Sequence, residues 1–204
     1  MIRENLQKNI ITLLMLSFIP LFMEFIIIII LSLIIGSKMN EFFNIICIFI
    51  SMGISSVIFP YKLLKIIYDI KLSDIGIKFN NLSKRQIVLN IFILLMNLIV
   101  FKKLDFINSI LLIFHNIVIA ISEEFLSRGC ITNVLTRIFK SEIIISCVNI
   151  LIFVFIFHSG GTLLDNLIFR LPISIVLMAT YMKSKNLVTP ITIHLTYNVL
   201  GAVL

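Results

Sequence analysis

Apolar residues run almost unbroken through seven stretches of this chain, at about residues 9–35, 41–60, 85–101, 106–137, 143–160, 163–182 and 188–204, parted by short polar or basic segments. A helix that crosses a bilayer needs about 20 mostly apolar residues. The pattern therefore predicts seven helical spans. It lacks the alternating, turn-punctuated segments of roughly ten residues that mark an outer-membrane barrel. The expected fold class is all-α, a polytopic transmembrane helical bundle. The third stretch is short, and the fourth exceeds what a bilayer requires, so part of it should project or tilt. Pro20 and Glu24 interrupt the first stretch. Glu24 either faces the bundle or snorkels towards the headgroups.

Composition agrees with this pattern. The 204 residues are 60% hydrophobic and 13% charged, with a mean hydropathy of +1.15, against about 45–50% apolar and about 25% charged in soluble domains. A net charge of +7 can signal nucleic acid, but here the basic residues cluster in loops between apolar runs, so no nucleic-acid partner is expected. Their distribution reads as topology. Placing the N-terminus in the cytoplasm puts Arg3, Lys8, Lys62, Lys65, Lys71, Lys78, Lys84, Arg85, Arg137, Lys140, Lys183 and Lys185 on one side, and only Lys38, Lys102 and Lys103 on the other. The chain is expected in the cell membrane with its C-terminus outside. Arg3 and Lys8 precede a long apolar stretch with no small-residue cleavage pattern, which reads as a retained first span. Residues 61–84 read as a basic, amphipathic cytoplasmic connector in contact with anionic headgroups. The organisation expected is two N-terminal spans with that connector (1–84) and a core (85–204), within one structural domain. Cys47, Cys130 and Cys147 are odd in number and show no Cys-x-x-Cys spacing, so neither a disulfide framework nor a thiolate metal site is expected.

Against this apolar background, a few ionisable residues stand out. Glu123 and Glu124 lie within the fourth stretch, followed by Arg128. An ionisable residue inside a span is costly and marks a functional site by default. At about 100° per residue, Asn116, Ala120, Glu123 and Ser127 share one stripe of the helix. Glu124 points elsewhere and is spaced i, i+4 to Arg128 for an intrahelical ion pair. The acids thus have different tasks available: Glu124 is neutralised, while Glu123 is free to face a cavity as a general base. A purely structural clasp with a spectator acid is the alternative.

His158 follows near the end of the fifth stretch, before a Ser159-Gly160-Gly161 helix stop. In the seventh stretch, Thr189-Pro190 reads as an N-cap and first helical position. His194 and Asn198, one turn apart, share a face there. Such a pair can bind a metal, polarise a carbonyl or simply bond between helices. Rare polar groups on three spans are best satisfied by one another, which places a polar site between spans 4, 5 and 7. Depths along the helices roughly agree, at about 20 Å from Arg137 to Glu124 and about 13 Å from Lys185 to His194, but His158 looks deeper, at about 27 Å from Lys140. Asp165 reads as a helix cap. Arg170 can snorkel, pair with Asp165 or face the cavity, and His115 reads as interfacial.

Glu-Glu-x-x-x-Arg at Glu123, Glu124 and Arg128, a histidine at His158, and His-x-x-x-Asn at His194 and Asn198 occur in this order across the C-terminal half. The sequence thereby resembles the CPBP family of intramembrane proteases, which includes type II CAAX prenyl endopeptidases and bacterial Abi-like proteins linked to bacteriocin processing and self-immunity. Gly129 continues the first motif, and Asp74-Ile-Gly-Ile77 looks like the family segment ahead of the third span. The second motif, Phe-x-x-x-His, departs: its aromatic position is Val154, flanked by Phe153 and Phe155. The resemblance implies amide hydrolysis by water in a membrane cavity. Glu123 would be the base, assisted by His158. His194 and Asn198 would stabilise the oxyanion or ligate a metal, and Glu124 and Arg128 would orient the site. Zinc, if used, would take Glu123, His158 and His194 as ligands; a metal-free glutamate mechanism is equally open.

The expected partner is a membrane-associated peptide or protein. The abundance of Ile, Asn, Lys and Phe suggests a low-GC bacterium, for which a secreted peptide or a membrane regulator fits better than a prenylated substrate. The competing reading is a noncatalytic membrane adaptor or bacteriocin-immunity protein on the same scaffold. A small transporter or proton pathway is a third.

Overall fold

The computed structural model describes residues 2–36, 40–78 and 83–203; Lys38 and Leu204 lie outside them. The described residues form an all-helical bundle, 88% helix, without strands. Seven continuous helices fall close to the seven apolar stretches. We number them α1 (Ile2–Ile35), α2 (Glu41–Met52, continuing through Gly53–Ile58 and Phe59–Tyr68), α3 (Lys84–Met96, tightening to a 3₁₀ turn over Asn97–Lys102), α4 (Phe106–Glu124, Phe125–Ile131, Thr132–Ile138), α5 (Glu142–Leu151, Ile152–Phe157), α6 (Leu163–Asp165, Asn166–Arg170, Leu171–Ser184) and α7 (Val188–Val203). Four of them, Glu4–Ile35, Phe42–Tyr68, Phe106–Ile138 and Leu163–Ser184, are long and apolar enough to cross a membrane. The protein is a multi-pass membrane protein. The other three helices are shorter.

Helix starts follow local chemistry. Asn40, Ser83, Asp105, Ser141 and Thr162 each accept a backbone N–H of the first turn through their side chains, satisfying donors that have no intrahelical partner. The start of α7 differs from the Thr189 cap expected. The helix opens at Val188, whose N–H is taken by Asn186 Oδ1 at 2.9 Å. Thr189 Oγ1 is buried without a hydrogen bond. Asn186 caps because its own side chain is held, donating to Lys78 O at 2.6 Å.

Four helices, α2, α4, α5 and α6, contain a π-helical stretch. Such turns close i→i+5 and are frequent at functional sites. Here they change which residues share a face.

The interior contains many small polar residues. Ser51, Ser55, Ser109, Ser127 and Ser174 are fully buried, allowing helices to approach closely. Outward faces are apolar, with Phe22 and Phe25 of α1 each 65% exposed. One buried cluster joins Leu16 and Leu64 to Phe125, Leu135 and Met178, so the N-terminal helices and the C-terminal half share a core. Tyr68 lies under the guanidinium of Arg137, and the side chain of Asn9 reaches Arg137 O. With Lys185 paired to Glu142, these contacts gather several basic loops at one end of the bundle.

Residues 61–78 expose Lys62, Lys65 and Lys71, as a basic amphipathic connector does, but their apolar side is anchored to the bundle. Helix α2 continues to Tyr68, ending on Asp69 at φ 51°. Beyond it Ile75 is completely buried, Gly76 O accepts Leu187 N–H at 2.9 Å, and Asn133 donates to Asp74 O at 3.2 Å. Gly76 adopts φ 91°, and a Cβ there would meet the Tyr181 ring at 2.9 Å. Glycine is required on both counts. The segment is bolted onto α4 and the α6–α7 link, which a basic composition could not reveal.

Candidate functional site

Glu124 and Arg128 are completely buried and joined by an Oε1–Nη1 contact of 3.1 Å. The guanidinium also donates through Nη2 to Ser174 Oγ at 2.9 Å and sits 4.0 Å from the centroid of Phe153. Glu124 Oε1 also meets His194 Nδ1 at 2.8 Å. An ionised carboxylate only accepts, so Nδ1 carries the proton and Nε2 is left to face the site. One carboxylate oxygen thereby links α4 to α7, while Arg128 links α4 to α6.

Glu123 is placed quite differently. Its Oε2 lies 3.7 Å from both His158 Nε2 and His194 Nε2. Neither contact is a hydrogen bond, and the oxygen is buried without one among the described residues. Glu123 lines a cavity of about 300 Å³ together with Glu24, Phe25, Ser56 and Phe157. Glu24, undecided between bundle and headgroups from sequence, faces this cavity. Of the stripe expected on α4, only Glu123 reaches it. Asn116 bonds back to Leu112 O, Ala120 packs with Leu195 and Val199, and Ser127 is tied to Asn149.

His158 reaches the acids despite its apparent depth. Helix α4 ends at Ile138 and α5 begins at Glu142, which leaves similar lengths of chain from the helix ends to Glu123 and His158. The π turns then fit extra residues into both helices. They also supply the aromatic position. Phe153 and His158 are five apart, with Ile152–Phe157 forming the π stretch, and i→i+5 closure puts them on one face. Their rings meet edge to face at 4.9 Å, and Phe153 lies 6.1 Å from His194. Val154, the motif position, is buried elsewhere in the core.

Asn198 follows His194 by one turn of α7, and the described residues show no hydrogen bond to its side chain. Arg170 does not pair with Asp165. It donates to Asn166 Oδ1 at 2.6 Å, and its guanidinium occupies the space that a side chain on Gly161 would fill. Asp165 does support the helix start, through Thr162. His115 lies well inside α4, and its Nδ1 is buried without a hydrogen bond.

Several positioning residues went unnoticed in the sequence. Asn149 of α5 donates to Ser127 O at 2.8 Å and to Thr132 Oγ1 at 3.2 Å, bracing the π stretch of α4. Asn97 donates to Thr196 Oγ1 at 2.9 Å, and Thr192 donates to Asn90 Oδ1 at 3.0 Å, joining α3 to α7 on either side of His194. The available signal was asparagine within apolar helices, where an unpaired amide is expensive.

Zinc ligands of these types stand about 2.0–2.2 Å from the ion. Glu123, His158 and His194 converge, but among the described residues no group of three His, Cys, Asp or Glu side chains is arranged to hold a metal ion.

The fold and the cluster together define a class: a multi-pass helical membrane protein in which buried acid, arginine and histidine side chains meet between the helices. Residues 105–200 match the family model described as type II CAAX prenyl endopeptidase, Rce1-like, in agreement with the CPBP resemblance. The matched stretch contains Glu123, Glu124, Arg128, His158, His194 and Asn198. No curated protein and no solved structure matches the chain.

Proposed function

We propose that the protein is an intramembrane endopeptidase that hydrolyses a peptide bond in a membrane-associated peptide or protein. The observation supporting this most directly is the carboxylate of Glu123, at the wall of a cavity and 3.7 Å from two imidazole nitrogens. Hydrogen-bond legs of about 2.8 Å can span a separation of this size, so a water can bridge Glu123 Oε2 and an imidazole Nε2. In this reading Glu123 takes a proton from that water as it attacks the scissile carbonyl, then returns it to the departing amine. His158 orients the water. Asn198 and His194 hold the oxyanion from α7, as preorganised donors do.

Glu124 and Arg128 act as positioning residues. Donation from His194 Nε2 to the oxyanion uses a second ring proton, because the proton on Nδ1 is already given to Glu124. In the membrane, all seven helices cross or enter the bilayer with the N-terminus cytoplasmic and the C-terminus outside, following the loop charges.

The test is a comparison of membrane proteomes from cells carrying wild type and Glu123→Gln. A peptide cut only by wild type supports hydrolysis. An unchanged proteome, together with an intact phenotype in the variant, overturns it in favour of a noncatalytic adaptor or immunity role.

A further inference from the structure

We propose that Glu24 of α1 determines substrate specificity at this site, forming with α1 and α2 a pocket beside Glu123 that takes a cationic side chain, Lys or Arg, of the peptide. The inference rests on the endopeptidase reading and names the substrate class.

Glu24 and Glu123 line the same cavity of about 300 Å³, from helices that are far apart in sequence. Glu123 is flanked by two histidines, and Arg128 is already committed to Glu124 and Ser174. Glu24 makes no hydrogen bond or salt bridge with a described residue. A carboxylate at membrane depth is normally paired, and nothing in the cavity wall supplies a cation. The remaining wall is mostly apolar, with Leu21, Phe25 and Phe157 around the hydroxyl of Ser56. A long apolar stem ending in a positive charge matches this lining, as lysine and arginine do when the stem is buried and the head is kept polar.

An access route adjoins the pocket. A groove of about 410 Å³ between α1 and α5 runs past Phe18, Phe22 and Phe155 to Ser159 and shares Leu21 and Phe25 with the cavity. An apolar peptide that lies in it and continues past Leu21 and Phe25 enters the cavity lined by Glu123 and Glu24. Glu24 also lies outside the stretch matched by the family model, which starts at residue 105. Selectivity is thus supplied by the N-terminal helices and chemistry by the matched segment.

The experiment measures binding without turnover. Full-length protein carrying Glu123→Gln is reconstituted in nanodiscs and titrated with fluorescent apolar peptides in which one lysine is walked through the sequence, each paired with norleucine and acetyl-lysine counterparts. At one position lysine is expected to bind roughly tenfold tighter than either counterpart. Adding Glu24→Gln reduces the ratio to near one, and adding Glu24→Lys reverses it in favour of a glutamate peptide. Equal binding of lysine and acetyl-lysine peptides at every position overturns the proposal and needs no Glu24 variant to fold. So does a lysine preference that survives Glu24→Gln. If wild type cuts peptides without this preference, the pocket fails and hydrolysis stands. If the preference is present but wild type cuts nothing, hydrolysis fails and the pocket stands.

Discussion

Glu124 and His194, seventy residues apart in the chain, share a buried 2.8 Å contact between Oε1 and Nδ1, on the same oxygen that pairs with Arg128. A motif reading couples Glu124 only to Arg128, four residues on. The structure shows that this acid also aims the histidine of the last helix. It therefore connects three parts of the site, whereas Glu123 is the acid left facing the cavity.

Arg128 should be the most sensitive structural position. Arg128→Met strands the Glu124 carboxylate in the core, a loss of about 3–5 kcal/mol for a broken buried pair. Glu124→Gln added to Arg128→Met should restore part of that loss, because the stranded charge disappears. Denaturant unfolding in detergent micelles compares the two.

The two glutamates should separate chemistry from stability. Glu123→Gln is expected to leave the unfolding midpoint near wild type, since its buried oxygen makes no hydrogen bond, while lowering cleavage by about 10²–10⁴, the usual contribution of a general base. Glu124→Gln should lower both. Equal stability losses in the two variants would contradict the division of roles.

Phe153 and Phe155 provide a test of the π turn. Phe153 lies against Arg128, His158 and His194, whereas Phe155 is 37% exposed. Phe153→Leu should cost about 1–2 kcal/mol from lost aromatic and cation contacts and should reduce turnover. Phe155→Leu should leave stability within about 0.5 kcal/mol of wild type. Chemical denaturation and a cleavage assay give the two readouts.

Gly76→Ala should destabilise the docked segment by about 1–3 kcal/mol, because its left-handed backbone disfavours a Cβ and that Cβ meets Tyr181. Gly53→Ala has open space in α2 and serves as the control. Hydrogen exchange at Leu187, whose N–H bonds to Gly76 O, should accelerate only in the first variant.

Chelation tests the route taken by the reaction. In the glutamate mechanism, purified protein keeps its cleavage rate after chelator treatment. Stoichiometric zinc by elemental analysis, with activity lost on chelation and restored by zinc, would place an ion at Glu123, His158 and His194 instead.

Helix positions were largely legible because apolar runs and capping residues are local features. The i, i+4 spacing of Glu124 and Arg128 was equally local, and so was the divergence of Glu123 from Glu124 on the helix surface. Other features depend on backbone closure that regular helical periodicity does not represent. A π turn shifts the shared face from four residues to five, which is why Phe153, and not position 154, meets His158. The burial of Ile75 and the capping role of Asn186 arise from surfaces distant in the chain.

By itself, the sequence determined that this protein is a helical membrane protein, and it singled out the few ionisable residues that lipid makes expensive. Only the tertiary structure decided which of them meet: Glu124 with His194, Glu123 with two imidazoles, and Glu24 at the same cavity. The physical reason is that solvation cost is written residue by residue, whereas its compensation is chosen by the packing of helices from opposite ends of the chain.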